Sequence, residues 1–274
     1  MNINKLKEMP PWEWPQSAST TFLELLRDDR ADGSDRLLAA ELAGDSTVID
    51  DALAAALLSI LCNSREPDAL RGQAAISLGP ALEYASTDGF DDPDDMPITE
   101  PMFRKIQETM EKLYADAQTP KFVRRMILEG SVRAPEKWHK NAVRAAYRSD
   151  DEEWKLTGVF CMQFIGGFKK EILASLKSQN PDIQYEAVCA AGNWEIDEAW
   201  PHIAELITSE ATDKDLLLAA IEAAAFIRPQ EASEMIGPLL EADDEDIVDA
   251  AYEALAMAGE LSEDEDEEDD KVFH

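Results

Sequence analysis

The sequence predicts an all-α protein, a solenoid of about six to seven stacked helical pairs, and three observations predict it. First, a ten-residue pattern recurs: residues 70–79 (LRGQAAISLG) align without gaps on residues 183–192 (IQYEAVCAAG), on 154–163, 216–225 and 247–256, and more loosely on 123–132. Second, from Trp154 the copies start 29, 33 and 31 residues apart, the period of a two-helix repeat. Third, each copy opens on a large apolar residue and places small or apolar residues fifth, sixth and ninth, which puts one stripe on one helix face. A lone helical hairpin cannot bury that stripe, whereas stacked neighbours can.

The chain opens on an arm, residues 1–16. Its Pro10-Pro11-Trp12-Glu13-Trp14-Pro15 run cannot be helix interior, because proline lacks the N–H donor and drives the preceding residue to extended backbone. Its tryptophans are expected to pack on the first helices, with a short partner-recognition motif as the alternative. Residues 17–259 hold the repeats. Phe22, Leu25 and Leu26 mark a short helix, Leu37, Leu38 and Leu42 a second that stops at Gly44, and residues 48–61 a long apolar third. Partner helices are expected over residues 51–63, 100–117, 136–148, 168–179, 197–209 and 230–241, set off by Gly79-Pro80, Gly166-Gly167, Gly192-Asn193 and Pro229. In residues 180–192, Asn180 reads as the helix cap and Gly192 as its stop. Residues 87–101, crowded with aspartate and proline, read as a solvated loop inserted within one repeat, and residues 260–274 as an acidic disordered tail.

The motifs Leu70-Arg-x-x-Ala-Ala-x-x-Leu-Gly79 and Asp182-Ile183-x-x-x-Ala-Val-x-Ala-x-Gly192 resemble the first helix of HEAT repeats, and Pro201-x-Ile-x-x-Leu-Ile and Ile236-Gly-Pro-Leu-Leu resemble the second. The resemblance covers roughly residues 35–258. It implies a right-handed α-α superhelix and a protein-binding scaffold, the family holding a minority of enzymes. The arginine usual at the second place is Arg71 or Lys155 in some copies but Gln184, Leu217 and Val248 in others, so the basic ladder between repeats is broken in the C-terminal half.

Charge narrows the function. Fifty-eight acidic against 25 basic residues give a formal charge of −33, which disfavours ligands held mainly through phosphate backbones and disfavours anionic membranes. No apolar run approaches the ~20 residues of a membrane span, and residues 1–14 lack the apolar stretch of a signal peptide, so a cytoplasmic location is expected. Cys62, Cys161 and Cys189 are odd in number, far apart and flanked by apolar residues, as buried reduced thiols are. His139, His202 and His274 are isolated, and no HExxH, CxxC, GxSxG, P-loop or GxGxxG occurs. No catalytic residue, metal, cofactor or small-molecule substrate is therefore assigned, and the expectation is a non-enzyme. The acidic insertion lacks the ligand order of a calcium-binding loop.

The informative asymmetry lies mid-chain. Between positions 103 and 148 eleven basic residues face five acidic ones, and Lys137, Lys140, Arg144 and Arg148 are spaced three, four and four, which projects them from one face of a helix over 136–148. Such a stripe is either an ordinary solvated face or, if second helices line a concave groove as the resemblance implies, a site for an acidic or phosphorylated segment of a partner protein. Arg124, Arg125 and Trp138 complete the candidate. The acidic tail could occupy the same groove. The alternatives are a base-lifting nucleic-acid enzyme using Trp138, Trp154, Asp150, Arg144 and Arg148, and capture of a basic partner by the tail.

Overall fold

A computed structural model describes residues 3–92, 96–209 and 211–259. The acidic tail and the centre of the acidic insertion lie outside the described residues. Contacts divide the chain into two units, Met1–Arg144 and Ala145–His274.

The first unit holds α1 (Ile3–Lys7), α2 (Ala18–Arg27), α3 (Gly33–Leu42), α4 (Asp51–Cys62), α5 (Asp68–Ser77), α6 (Gly79–Asp88), α7 (Glu100–Ala115) and α8 (Lys121–Ser131). The division between units falls within α9 (His139–Tyr147), and the second unit continues with α10 (Glu152–Cys161), α11 (Lys169–Ser175), α12 (Pro181–Asn193), α13 (Trp200–Thr208), α14 (Lys214–Ile227), α15 (Pro229–Ile236) and α16 (Glu245–Met257). No β-strand occurs among the described residues. The protein is an all-α helical-repeat solenoid. Within the first unit α3, α5 and α8 stack as one row and α2, α4 and α7 as another; in the second, α10, α12, α14 and α16 form a row backed by α11, α13 and α15.

All six aligned segments lie on helices, three of them running one or two residues past the helix end. In the second unit each is started the same way: the side chains of Asp151, Asn180, Asp213 and Asp244 accept from backbone N–H groups of the first turn of α10, α12, α14 and α16. Their apolar stripes are buried, through Ile183, Ala187 and Val188 on α12 and Ala220, Ile221 and Ala224 on α14.

Gly192, expected to stop α12, does not. The helix runs through it to Asn193 and ends in the turn after Trp194, where Glu195 takes the left-handed conformation (φ 48°) and Ile196 N–H donates back to Ala191 O at 3.0 Å. Gly192 is needed for packing instead. A Cβ there would lie 2.9 Å from Ala223 Cα on α14. Gly79-Pro80 stands at the expected break between helices, where α5 ends at Ser77 and the pair opens α6, since proline suits the first turn of a helix where no N–H partner exists.

A second repeated device joins successive helices. Arg36 Nη2 donates to Leu26 O at 3.2 Å, Arg71 Nε to Leu61 O at 3.0 Å and Arg124 Nε to Tyr114 O at 2.8 Å. Each arginine reaches ten residues back to the penultimate carbonyl of the preceding helix, an otherwise orphaned acceptor at the negative end of that helix. In the second unit Gln184 Nε2 donates to Leu176 O at 3.1 Å without the charge. The basic ladder is thus a set of helix C-caps, and its loss in the C-terminal half follows the sequence.

The arm is pinned by one tryptophan. Trp14 Nε1 donates to Leu6 O and Met9 O at 2.9 and 3.1 Å, and its ring meets Phe22 edge-on at 5.4 Å. Trp12 is 80% exposed, against expectation. The acidic insertion is anchored where it returns to helix: Thr99 N–H and Oγ1 both bond the Asp51 carboxylate, at 2.8 and 2.7 Å, and Ile98 is buried.

Candidate functional site

The expected basic stripe does not form one helix face. Helix α9 begins at His139, so Lys137 precedes it and Arg148 follows it, and Arg148 belongs to the second unit. The delayed start has a cause. His139 is fully buried, and its Nδ1 accepts the Glu136 N–H at 2.9 Å, holding residues 136–139 in a turn. On the other side His139 Nε2 lies 2.9 Å from Ser131 Oγ, which itself donates to Ile127 O at 2.6 Å. Because the serine proton is committed to that carbonyl, Nε2 carries the imidazole proton and Nδ1 carries none. The ring is neutral.

Trp138 stacks on His139 (3.7 Å between centroids) and leans on Tyr114 (4.9 Å), and the Arg124 guanidinium lies over the Tyr114 ring at 5.1 Å. Trp138 and Arg124 therefore belong to one internal stack that closes the end of α7. Arg125 is half-buried on α8, Arg144 Nη1 bonds Asn141 Oδ1 at 3.3 Å, and Lys137 and Lys140 are exposed. Of the sequence-predicted residues, Lys140 and Arg144 share α9 at a spacing of four, while Arg124 and Trp138 are taken up by the stack on Tyr114 and His139.

Burial pushes the His139 pKa from 6.5 to about 4. With the folded value below the unfolded one, the unfolded chain binds the proton more readily. The stability linked to this ring is complete above pH 6.5 and declines by up to about 3 kcal/mol as pH falls toward 4. Chemical denaturation of the protein and of His139→Gln across pH 7 to 4 is expected to show the gap between them narrowing through that window; a constant gap would contradict the neutral-ring assignment.

A different surface is built in the second unit, on the exposed side of α10, α12 and α14. Two hollows share Tyr185. One, of about 460 Å³, is lined by Leu156, Asp182, Glu186, Asp213, Asp215 and Leu216 among others. The other, of about 320 Å³, is lined by Gln163, Phe164, Cys189, Asn193, Glu222 and Phe226 among others. Five carboxylates and no lysine or arginine stand among the lining residues. Tyr185 and Phe226 are large rings left 39% and 43% exposed, where the helical pattern buries the opposite stripe.

Four cations of the second unit are engaged by other groups. Lys214 Nζ bonds the Asp244 carboxylate at 2.7 Å and Asp246 at 2.6 Å, Arg228 Nε bonds Asp197 at 2.7 Å, Lys169 pairs with Glu198, and Lys155 lies over the Tyr147 ring at 5.5 Å. The negative potential of the groove is felt by its own groups. Burial, then Glu186 and Glu222, push the Cys189 thiol up to about 12, and Cys189, burial and Glu186 push the Tyr185 phenol up to about 12.

No residue of this face was nominated from the sequence. The signal was present: Tyr185 and Cys189, like Glu222 and Phe226, are spaced four apart on the side of each helix away from its buried stripe. Among the described residues no group of three or more His, Cys, Asp or Glu side chains is placed to hold a metal ion, and no helix is long and apolar enough to cross a membrane.

No model of a known protein family matches the chain, and no curated protein matches it. Solved structures of similar architecture do. Escherichia coli YibA is 15% identical, with 90% of this chain and 84% of that one covered at a TM-score of 0.44. Human deoxyhypusine hydroxylase, solved with glycerol, is 13% identical, with 91% and 87% covered at 0.42. Computationally designed armadillo repeat proteins for modular peptide recognition are 12% identical, with 86% and 98% covered at 0.31.

An enzyme thus stands among chains of similar architecture. This corrects the expectation of a non-catalytic scaffold holding an acidic or phosphorylated segment on the basic stripe. A helical-repeat fold assigns neither catalysis nor its absence, and the residues nominated for that ligand include the capping Arg124 and the internally stacked Trp138.

Proposed function

We propose that the second unit binds a cationic segment of a partner protein along the face of α10, α12 and α14. The observation that carries this reading is the pair of hollows joined at Tyr185, whose lining residues include Asp182, Glu186, Asp213, Asp215 and Glu222 but no lysine or arginine. Between positions 145 and 259 the sequence holds 24 acidic and seven basic residues, a net charge of −17. That field draws a basic ligand in and weakens with added salt. The exposed Tyr185 and Phe226 rings add apolar contact and cation–π attraction for lysine or arginine side chains. On this reading the repeats are of the HEAT type, supported by the recurrent capping arginines Arg36, Arg71 and Arg124. The setting is a reducing cytoplasm, in keeping with the free thiols of Cys62, Cys161 and Cys189.

Glu222→Lys tests the groove, because Glu222 is exposed on α14 and caps no helix. Fluorescence anisotropy with a labelled basic peptide at low salt is expected to show binding weakened about tenfold or more, or about 1.4 kcal/mol. Lys140→Glu, in the first unit, is expected to leave the affinity unchanged. Equal affinity of Glu222→Lys and the parent protein would sink the reading.

A further inference from the structure

Of the two hollows, the smaller distinguishes between kinds of cation. Its floor is Cys189, half-buried at the middle of α12, and its lining includes the aromatic rings Phe164, Tyr185 and Phe226. Phe164 is fixed from behind by Phe160 at 5.4 Å between centroids. Glu222 is in the lining, and Glu186 bonds Gln163 Nε2 at its edge. Both carboxylates act on Cys189 strongly enough to help raise its thiol pKa, so both lie within electrostatic reach of the floor. The amide oxygens of Gln163 and Asn193 add acceptors on the rim. Planar aromatic walls, a half-buried floor and acceptors at the rim together favour a flat cation with donors around its edge.

We infer that this hollow is an arginine-reading pocket: it takes a guanidinium of the cationic segment between the Phe164, Tyr185 and Phe226 rings, with Glu222 accepting from its N–H edge, and prefers it to a lysine ammonium. Guanidinium is weakly hydrated, stacks on aromatic faces and presents directed donors, whereas ammonium is compact, strongly hydrated and loses more on leaving water. A carboxylate at the guanidinium edge adds charge-assisted bonds of defined direction. Charge alone would not separate the two residues. The rings do, by stacking on the guanidinium plane.

This inference rests on the cationic-segment reading, and the experiment separates the two. Two short peptides of identical length and charge, one with arginine and one with lysine at every basic position, are titrated calorimetrically into the full chain. The arginine peptide is expected to bind about tenfold more tightly, and Phe226→Ala to remove most of that advantage while leaving the lysine peptide within about twofold. Phe226→Leu keeps the apolar bulk and is expected to lose the preference as well, which separates stacking from packing. Equal affinities for the two peptides would overturn the arginine assignment and leave the cationic-segment reading standing. Binding of neither peptide at low salt would overturn both.

Discussion

Gly130→Ala is expected to destabilise the first unit by about 3 kcal/mol, a large fraction of the stability of an ordinary domain. A Cβ at position 130 would lie 2.3 Å from the Ala75 carbonyl oxygen and 3.0 Å from its carbon. Both are backbone atoms of α5, so no rotamer change relieves the clash; α5 and α8 must move apart along the row they form. The same holds at Gly192, against Ala223 of α14, in the second unit. Gly33 provides the control. It opens α3 with nothing within 4 Å of a Cβ built on it, so Gly33→Ala is expected to be neutral or to stabilise by about 0.5 kcal/mol by restricting the unfolded chain. Urea unfolding midpoints measure both. If Gly130→Ala unfolds at the midpoint of the parent protein, the close approach of α5 and α8 is not what holds the row together.

Arg71→Met carries the second large effect, also about 3 kcal/mol of lost stability. Methionine keeps much of the aliphatic bulk but removes the donor to Leu61 O, on a side chain only 4% exposed. The carbonyl left behind sits at the negative end of α4, between α4 and α5, with no replacement donor in the substituted side chain. Arg71→Lys restores the charge without the directed Nε–H and is expected to recover about half of the loss. Thermal unfolding of the three proteins orders them arginine, lysine, methionine. A methionine variant as stable as the parent would show that Arg71 merely fills space and that the ten-residue reach shared with Arg36 and Arg124 has no energetic role.

The repeats were legible because they rest on local, periodic chemistry. Apolar residues at helical spacing, Asp or Asn before each recurring helix of the second unit, and a period near thirty residues determine that helices form and where most of them begin. The partner helices at residues 51–63 and 100–117 end within two residues of α4 and α7. Misjudged boundaries trace to residues whose role depends on a neighbour distant in sequence. Gly192 reads as a stop because glycine ends helices, yet Ala223 of the next repeat sets its use. The helix over 136–148 reads as continuous because its basic residues keep helical spacing, yet the buried His139 ring takes the Glu136 N–H and starts it late.

The candidate site was the less legible part. The eleven basic residues between positions 103 and 148 stand out along the chain because they are contiguous there, whereas the carboxylates and rings of the groove come from α10, α12 and α14, some seventy positions apart from Leu156 to Phe226. By itself the sequence determined an all-α chain of stacked repeats with a strongly acidic second half, since periodicity and net charge are properties of the linear order. Only the tertiary structure decided that Arg124 and Trp138 are spent on closing α7, and that Tyr185, Glu186, Glu222 and Phe226 share one face. The physical reason is that a helix's apolar stripe fixes which side is buried, while the stacking of one repeat on the next fixes which exposed residues become neighbours.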